Sequence, residues 1–175
     1  TGEVLKCASC GMTVETVGAA DATAHGPAGT PSAEKRASDA LSALLGGDAG
    51  MVAALARHPD GGMVVGGRFN LVGGVHGRGN LLRLNPAGNL DLGWQPRFNG
   101  MVHALAVAGS GVTYVGGDFT MADGLGRMRL ARVNSNGGID TQWNQGAWGG
   151  GPDGSQVRAL AVAANGSVYV GGRFS

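Results

Sequence analysis

The sequence predicts an all-β protein assembled from β-propeller blades, and three observations carry that expectation. Met51-Val52-Ala53-Ala54-Leu55-Ala56 returns as Met101-Val102-His103-Ala104-Leu105-Ala106 and again, shortened, as Val157-Arg158-Ala159-Leu160-Ala161. Val65-Gly66-Gly67-Arg68-Phe69 returns as Val115-Gly116-Gly117-Asp118-Phe119 and as Val170-Gly171-Gly172-Arg173-Phe174. Glycine supplies 35 of 175 residues, against about 7 % in an average protein, and much of it stands in pairs at the ends of apolar runs or inside turn-like segments. A repeat of this length reads as one supersecondary unit per copy, unable to bury its apolar face without a neighbour.

Composition narrows the function classes. The length suits one domain with a real core. Collagen is excluded, because glycine has no every-third-residue period. Only 14 % of residues are charged and the formal net charge is +1. That leaves no basic stripe to attract nucleic acid. No apolar run is long enough for a transmembrane segment. The chain starts at Thr1 without a signal-peptide pattern, which reads as a processed or fragment start.

Residues 1–50 do not carry the repeat. Asp21 to Thr30 is small, polar and Gly/Pro-containing, as loops are. Thr30-Pro31 offers a cap with proline at the first helical position. Ala33, Ala37, Ala40, Leu41, Leu44 and Leu45 then share a helical face, ended by Gly46-Gly47, so a helix is expected over 31–45. It reads equally as a helix docked on a larger body and as a linker.

Residues 51–175 are read as propeller repeats covering 51–100, 101–155 and, in part, 156–175. In the first copy, Val52 to Ala56, the turn His58-Pro59-Asp60-Gly61-Gly62 and Met63 to Gly66 form a hairpin. A Gly-rich loop is expected from Arg68 to Gly79. Leu81 to Leu84 is a third strand, Asn85 to Asn89 a turn, and Leu90-Asp91-Leu92 a fourth strand. The second copy offers Met128 to Val133, the turn Asn134 to Gly138, and Ile139-Asp140-Thr141, with Trp94 and Trp143 at equivalent places. Leu55, Leu105 and Leu160 are expected to be buried at equivalent points. Five extra residues in the second interval, from Leu105 to Leu160, fall within Gly146 to Ser155, where insertion costs little. Four short antiparallel strands per repeat match one blade; a β-solenoid is the alternative. Two and a half repeats do not close a ring, so further blades or partner chains are expected to complete it.

The detailed pattern resembles the delta-60 repeat family. The resemblance rests on Pro59-Asp60-Gly61, the Val-Gly-Gly-x-Phe blocks, the run from Gly77 to Asn85, and Asn89-Leu90-Asp91 followed by Trp94. It covers residues 51–175, and Trp94 and Trp143 stand where that family more often has Phe. The resemblance implies a propeller fold in a bacterial protein, secreted or surface-borne, and carries no shared catalytic motif.

Cys7-Ala8-Ser9-Cys10-Gly11-Met12 is the constellation with the most chemical potential. Two thiols three apart on a turn can reach one metal. The run resembles half of a zinc ribbon and also the Cys-Gly-Met of soft-metal domains, which puts zinc or copper among the candidates. A tetrahedral site needs four ligands; His25 would supply at most a third, and no other cysteine exists. A disulfide, or inert thiols, is the favoured alternative. Redox catalysis would need an activated thiolate. Haem attachment is not expected, because Gly11 stands where that motif requires His.

Asn134, Asn136, Gly138 and Asp140, echoed by Asn85, Asn89 and Asp91, alternate oxygens as a calcium loop does. β-turns select the same residues, and one carboxylate per loop is poor charge for calcium. The run also misses the sialidase Asp-box, with Thr141 in the tryptophan position and Asn136 in the aspartate position. His58, His76 and His103 lack the spacing of metal ligands, and His103 is expected on a solvated face. Asp118, where the other copies have Arg68 and Arg173, is expected to pair with an arginine between blades. Neither a nucleophile elbow nor a phosphate loop is present.

The function expected is a non-catalytic repeat scaffold or binding module, exported to the cell surface or periplasm, or an accessory subunit of a larger assembly. Its partners would be proteins or further blades. Ligands would bind at the loops Arg68 to Gly79, Asp118 to Gly126 and Gly146 to Ser155. The alternative is part of a propeller enzyme, a hydrolase or lyase, with its active site in other blades.

Overall fold

The computed structural model describes residues 4–6, 13–15, 50–69, 71–72, 75–76, 79–145 and 155–174. The Cys7/Cys10 pair, His25, the helix expected over 31–45 and residues 146–154 lie outside the described residues. The chain divides into two compact units, Thr1–Pro31 and Ser32–Ser175. In the first, β1 (Val4–Lys6) pairs antiparallel with β2 (Thr13–Glu15).

The second unit carries the repeats as partial propeller blades. Blade 1 is β3 (Met51–Arg57), β4 (Met63–Arg68) and β7 (Leu81–Leu84), in spatial order β3-β4-β7. The hairpin β5 (Leu71–Val72) and β6 (Val75–His76) is inserted between β4 and β7. Blade 2 repeats this with β8 (Val102–Val107), β9 (Thr113–Gly117) and β12 (Leu130–Val133), and the inserted hairpin β10 (Met121–Ala122) and β11 (Leu125–Gly126). Blade 3 shows β13 (Gln156–Val162) paired with β14 (Val168–Arg173). All of this pairing is antiparallel, and the described blades do not form a closed ring.

The strands form where β-branched and leucine residues alternate with small ones, and one turn design links them. Residues 58, 85, 108, 134 and 163 each donate their N–H to the carbonyl four residues on. The penultimate residue of each turn is a glycine with φ between 82° and 93°, namely Gly61, Gly88, Gly111, Gly137 and Gly166. Only glycine takes that left-handed conformation without penalty.

Two expectations about strands are corrected. Leu90-Asp91-Leu92 and Ile139-Asp140-Thr141 do not form full fourth strands; each contributes one bridge, Leu84 to Leu90 and Val133 to Ile139. The cause is local. Asp91 Oδ1 accepts the Gly93 N–H at 3.0 Å and Asp140 Oδ1 the Gln142 N–H at 2.9 Å, and these Asx turns bend the chain off the ladder. The loops expected at 68–79 and 118–126 contain the inserted hairpins. In blade 2 that hairpin turns on Asp123-Gly124, with φ of 47° and 77°, a two-residue turn that Asp-Gly favours.

Each innermost strand carries a bulge at the same place: between Val52 and Ala54, Val102 and Ala104, and Val157 and Ala159. The extra residue is Ala53, His103 or Arg158. This bulge explains the second glycine of every Gly-Gly pair. A β-carbon on Gly67, Gly117 or Gly172 would run into the carbonyl oxygen of Met51, Met101 or Gln156 across the strand pair.

The first glycine of the pair faces the next blade. A β-carbon on Gly66 would lie 2.5 Å from Val102 Cγ1 and 3.3 Å from Leu105 Cδ1. One on Gly116 would collide with Val157 Cγ1 and lie 3.2 Å from Leu160 Cδ1. Each blade thus offers a glycine socket, and the following blade fills it with a Val and a Leu three residues apart. Around the contact between blades 1 and 2 the core gathers Val64, Leu81, Trp94, Phe98, Val102, Val115 and Phe119. Leu130 and Val157, with Trp143, Leu160 and Val170 packed beside them, form the smaller core between blades 2 and 3.

The expectation that the three repeat leucines are buried alike is corrected here. Leu105 and Leu160 pack into the two cores, but Leu55 is 53 % exposed. Its side chain points to the face of blade 1 that no other described blade covers, so the repeat position is the same and the neighbour differs.

These contacts set an expected contrast in stability, read by urea unfolding of the whole chain. Gly116→Ala should destabilise by about 1 to 3 kcal/mol through overpacking, whereas Gly171→Ala, with only Ala159 nearby, should stay within about 0.5 kcal/mol. Equal effects at the two positions would contradict the socket. Phe119→Ala, at a side chain 1 % exposed, should cost about 3 to 5 kcal/mol. The equivalent Phe174→Ala, 47 % exposed, should cost under about 1 kcal/mol.

Candidate functional site

A cluster of His58, Asp60, Arg83 and Asp91 grows from the first hairpin turn. The turn places Asp60 two residues after His58, and β7 carries Arg83 alongside. His58 Nδ1 lies 2.7 Å from Asp60 Oδ1, and the Arg83 guanidinium is ion-paired to Asp60 Oδ2. A second Arg83 nitrogen lies 3.5 Å from Asp91. The Asp60 carboxylate also accepts the Gly62 N–H at 2.8 Å. Desolvation pushes the Asp60 carboxyl up, but the Gly62 amide, His58 and Arg83 together outweigh it and bring it down to about 2. The His58 ring is buried, and its Nε2 has no hydrogen-bond partner. It abuts Gly111 of the next blade, where a β-carbon would lie 2.9 Å from Nε2.

The second copy keeps part of this arrangement. Arg132 pairs with Asp140 Oδ2 through both Nε, at 2.7 Å, and Nη2. Asp140 Oδ1 accepts the N–H groups of Gln142 and Trp143. Desolvation again opposes ionisation, and the Gln142 amide, Arg132 and the Trp143 amide reverse it and hold the carboxyl below its usual range. Both Asp140 oxygens are therefore occupied by donors, and Asn136 Oδ1 accepts the Gly138 N–H at 3.0 Å. Of the oxygens considered for calcium, the side-chain oxygens of Asn85, Asp91, Asn136 and Asp140 are engaged in turn hydrogen bonds. Among the described residues, no group of three or more His, Cys, Asp or Glu side chains could hold a metal.

Two further site expectations change. Among the described residues Asp118 meets no arginine between blades; its Oδ2 lies 3.6 Å from His103 Nε2 in the same blade. His103 is the extra residue of the bulge and is half-buried beside that carboxylate, not on an open solvated face. The bulge turns its side chain toward the loop after β9, an effect that strand alternation alone does not anticipate.

An apolar concavity that sequence reading missed lies beside blade 3. Leu130, Trp143, Gln145, Val168, Tyr169, Val170 and Phe174 line a cleft of about 620 Å³. Its aromatic residues repeat buried ones. Tyr114 is 8 % exposed and packs edge-on against Trp143 at 5.4 Å, while its counterpart Tyr169 is 64 % exposed. In blade 2 the corresponding edge of β9 is covered by β12. Aligning Tyr114 with Tyr169 in the sequence would have flagged the position, but not its exposure.

The Asp60 cluster makes a pH-dependent contribution to stability. An unperturbed Asp has a pKa of 3.8, and the folded Asp60 one of about 2. The folded state therefore binds this proton more weakly, and the contribution is fully present above about pH 4 and lost as pH falls through 2. Asp60→Asn should lower the melting temperature at pH 7, and the deficit should shrink between pH 4 and pH 2. A deficit that does not change over that window would contradict the assignment.

Comparison with known proteins agrees with this geometry. Residues 58–93 and 108–142 match the family described as "Domain of unknown function (DUF5122) beta-propeller". No curated protein matches the chain, and no solved structure matches it. The two matched segments run from the first hairpin turn of a blade to just past its last bridge, and so take in β4 to β7 and β9 to β12 but not β3 or β8; the chain carries a β-propeller-type repeat.

Proposed function

We propose that this chain is a non-catalytic repeat module of the delta-60 type, acting as a scaffold or binding surface. It is exported to the bacterial cell exterior or serves as an accessory subunit of a larger assembly, and its partners are proteins or further blades. The observation that carries this reading is the direction in which carboxylates are shifted. Asp60 and Asp140 are both pushed down and clamped by an arginine, whereas acid–base catalysis at neutral pH needs a carboxyl held up. The His58–Asp60 pair is also absent from the other copies, which have Ala108 and Ser110, then Ala163 and Asn165. Asn165 Oδ1 nevertheless accepts the N–H two residues on, as Asp60 does, which supports a role in shaping the turn. The apolar cleft at Trp143 and Tyr169 supplies surface of the kind that partner proteins cover.

Protease shaving of intact native cells should degrade the chain. A photo-crosslinking residue at position 169 should give one stoichiometric protein adduct, identified by mass spectrometry. Protection from the protease would overturn export. A hydrolase or lyase activity of the purified chain that Asp60→Asn abolishes would overturn the non-catalytic reading.

A further inference from the structure

One motif of the chain serves neither the blade packing nor the arginine–aspartate clusters. Among the asparagines of the sequence, only Asn165 heads the order Asn-x-Ser, as Asn165-Gly166-Ser167. That order is the acceptor pattern for an N-linked sugar and needs a surface loop. The fold supplies one: the motif forms the tip of the hairpin between β13 and β14, and all three residues are exposed. The exposure belongs to the turn position. Asp60 and Ser110 hold the same place in blades 1 and 2 and are exposed as well, and blade 2 has a described blade on either side. The local geometry also separates the two ends of the carboxamide. Asn165 Oδ1 accepts the Ser167 N–H at 3.0 Å, an Asx turn, which leaves Nδ2 without a protein partner among the described residues. Asn80 and Asn99, by contrast, spend Nδ2 on Phe98 O and Thr120 Oγ1, each at 2.9 Å.

We propose that Asn165 is the acceptor of an N-linked sugar. In the transfer, Nδ2 attacks C1 of a sugar carried on a diphosphate. The N–C1 bond forms, the C1–O bond breaks, the diphosphate leaves with the electron pair, and a base of the transferase takes one Nδ2 proton. The turn survives the reaction, because neither Oδ1 nor the Ser167 N–H is consumed. The sugar stands at the end of blade 3 where β13 turns into β14. The inserted hairpin of blade 2 follows its second strand, at the opposite end of the strands, so the loop at 118–126 stays uncovered. The proposal rests on the export part of the reading above, since export brings the chain to the transferase, and the two are tested apart.

Intact-mass measurement and glycopeptide sequencing of the chain purified from its native cells should place whole sugar residues on Asn165. Asn165→Asp keeps a turn acceptor, as Asp60 does in blade 1, and removes Nδ2. Ser167→Ala keeps the N–H that Oδ1 accepts and removes the hydroxyl that completes the motif. Both variants should match the parent by circular dichroism and lose the sugar, whereas Ser167→Thr should retain it. An unmodified Asn165 in the native chain, a sugar that persists in Asn165→Asp or Ser167→Ala, or one that disappears in Ser167→Thr would each overturn the proposal. Protease shaving of the same cells separates it from export. A chain that is shaved but unmodified overturns the proposal and leaves export standing; a modified chain that resists the protease supports the proposal and overturns export.

Discussion

The Gly-Gly pair at the end of each second strand is the constraint on which the rest of the repeat depends, and its two members answer to different neighbours. The second glycine lets the carbonyl at the start of the innermost strand come close enough to form the bulge. The first leaves a hollow that admits the Val and Leu of the following blade. Substituting either removes a close approach that backbone or packed side chain cannot easily yield, since interiors are packed to near-crystalline density. One dipeptide therefore sets both the shape of a blade and the distance to the next.

The bulge links this packing to the polar features. By inserting Ala53, His103 or Arg158, it uncouples inward and outward alternation at the start of the innermost strand. In blade 2 that brings His103 to Asp118. At the other end of the hairpins, the common turn lets Asp60, Asn85, Asn136 and Asn165 cap backbone N–H groups. Arginines from the third strands, Arg83 and Arg132, then tie down the aspartates that follow, Asp91 and Asp140. At these turns and strand ends Asp60 and Asp140 are held below the usual carboxylate range.

What distinguishes the three blades is their neighbours more than their residues. Tyr114 and Tyr169, Phe119 and Phe174, and Leu105 and Leu55 are pairs of identical side chains whose exposure differs widely. Each repeat buries its surface only where a neighbouring strand or blade arrives, as expected of arrays stabilised by nearest-neighbour interfaces. Exposure within these pairs thus follows what packs alongside, not the residue type.

Much of this was legible in the amino-acid order. The repeat, the hairpin at 52–66, the third strand at Leu81 to Leu84 and the turn glycines follow from local periodicity and from the left-handed conformations that glycine alone tolerates. Asp123-Gly124 carried a hairpin signal as well, obscured by the glycine-rich run around it. The pairing of His103 with Asp118, the closing of the His58–Asp60 pair by Arg83 and the exposure of Leu55 were decided only by tertiary structure. Each depends on a partner distant in sequence or on the lack of a covering blade. Local sequence specifies which way a side chain points along a strand; what stands opposite it is set by how the blades stack.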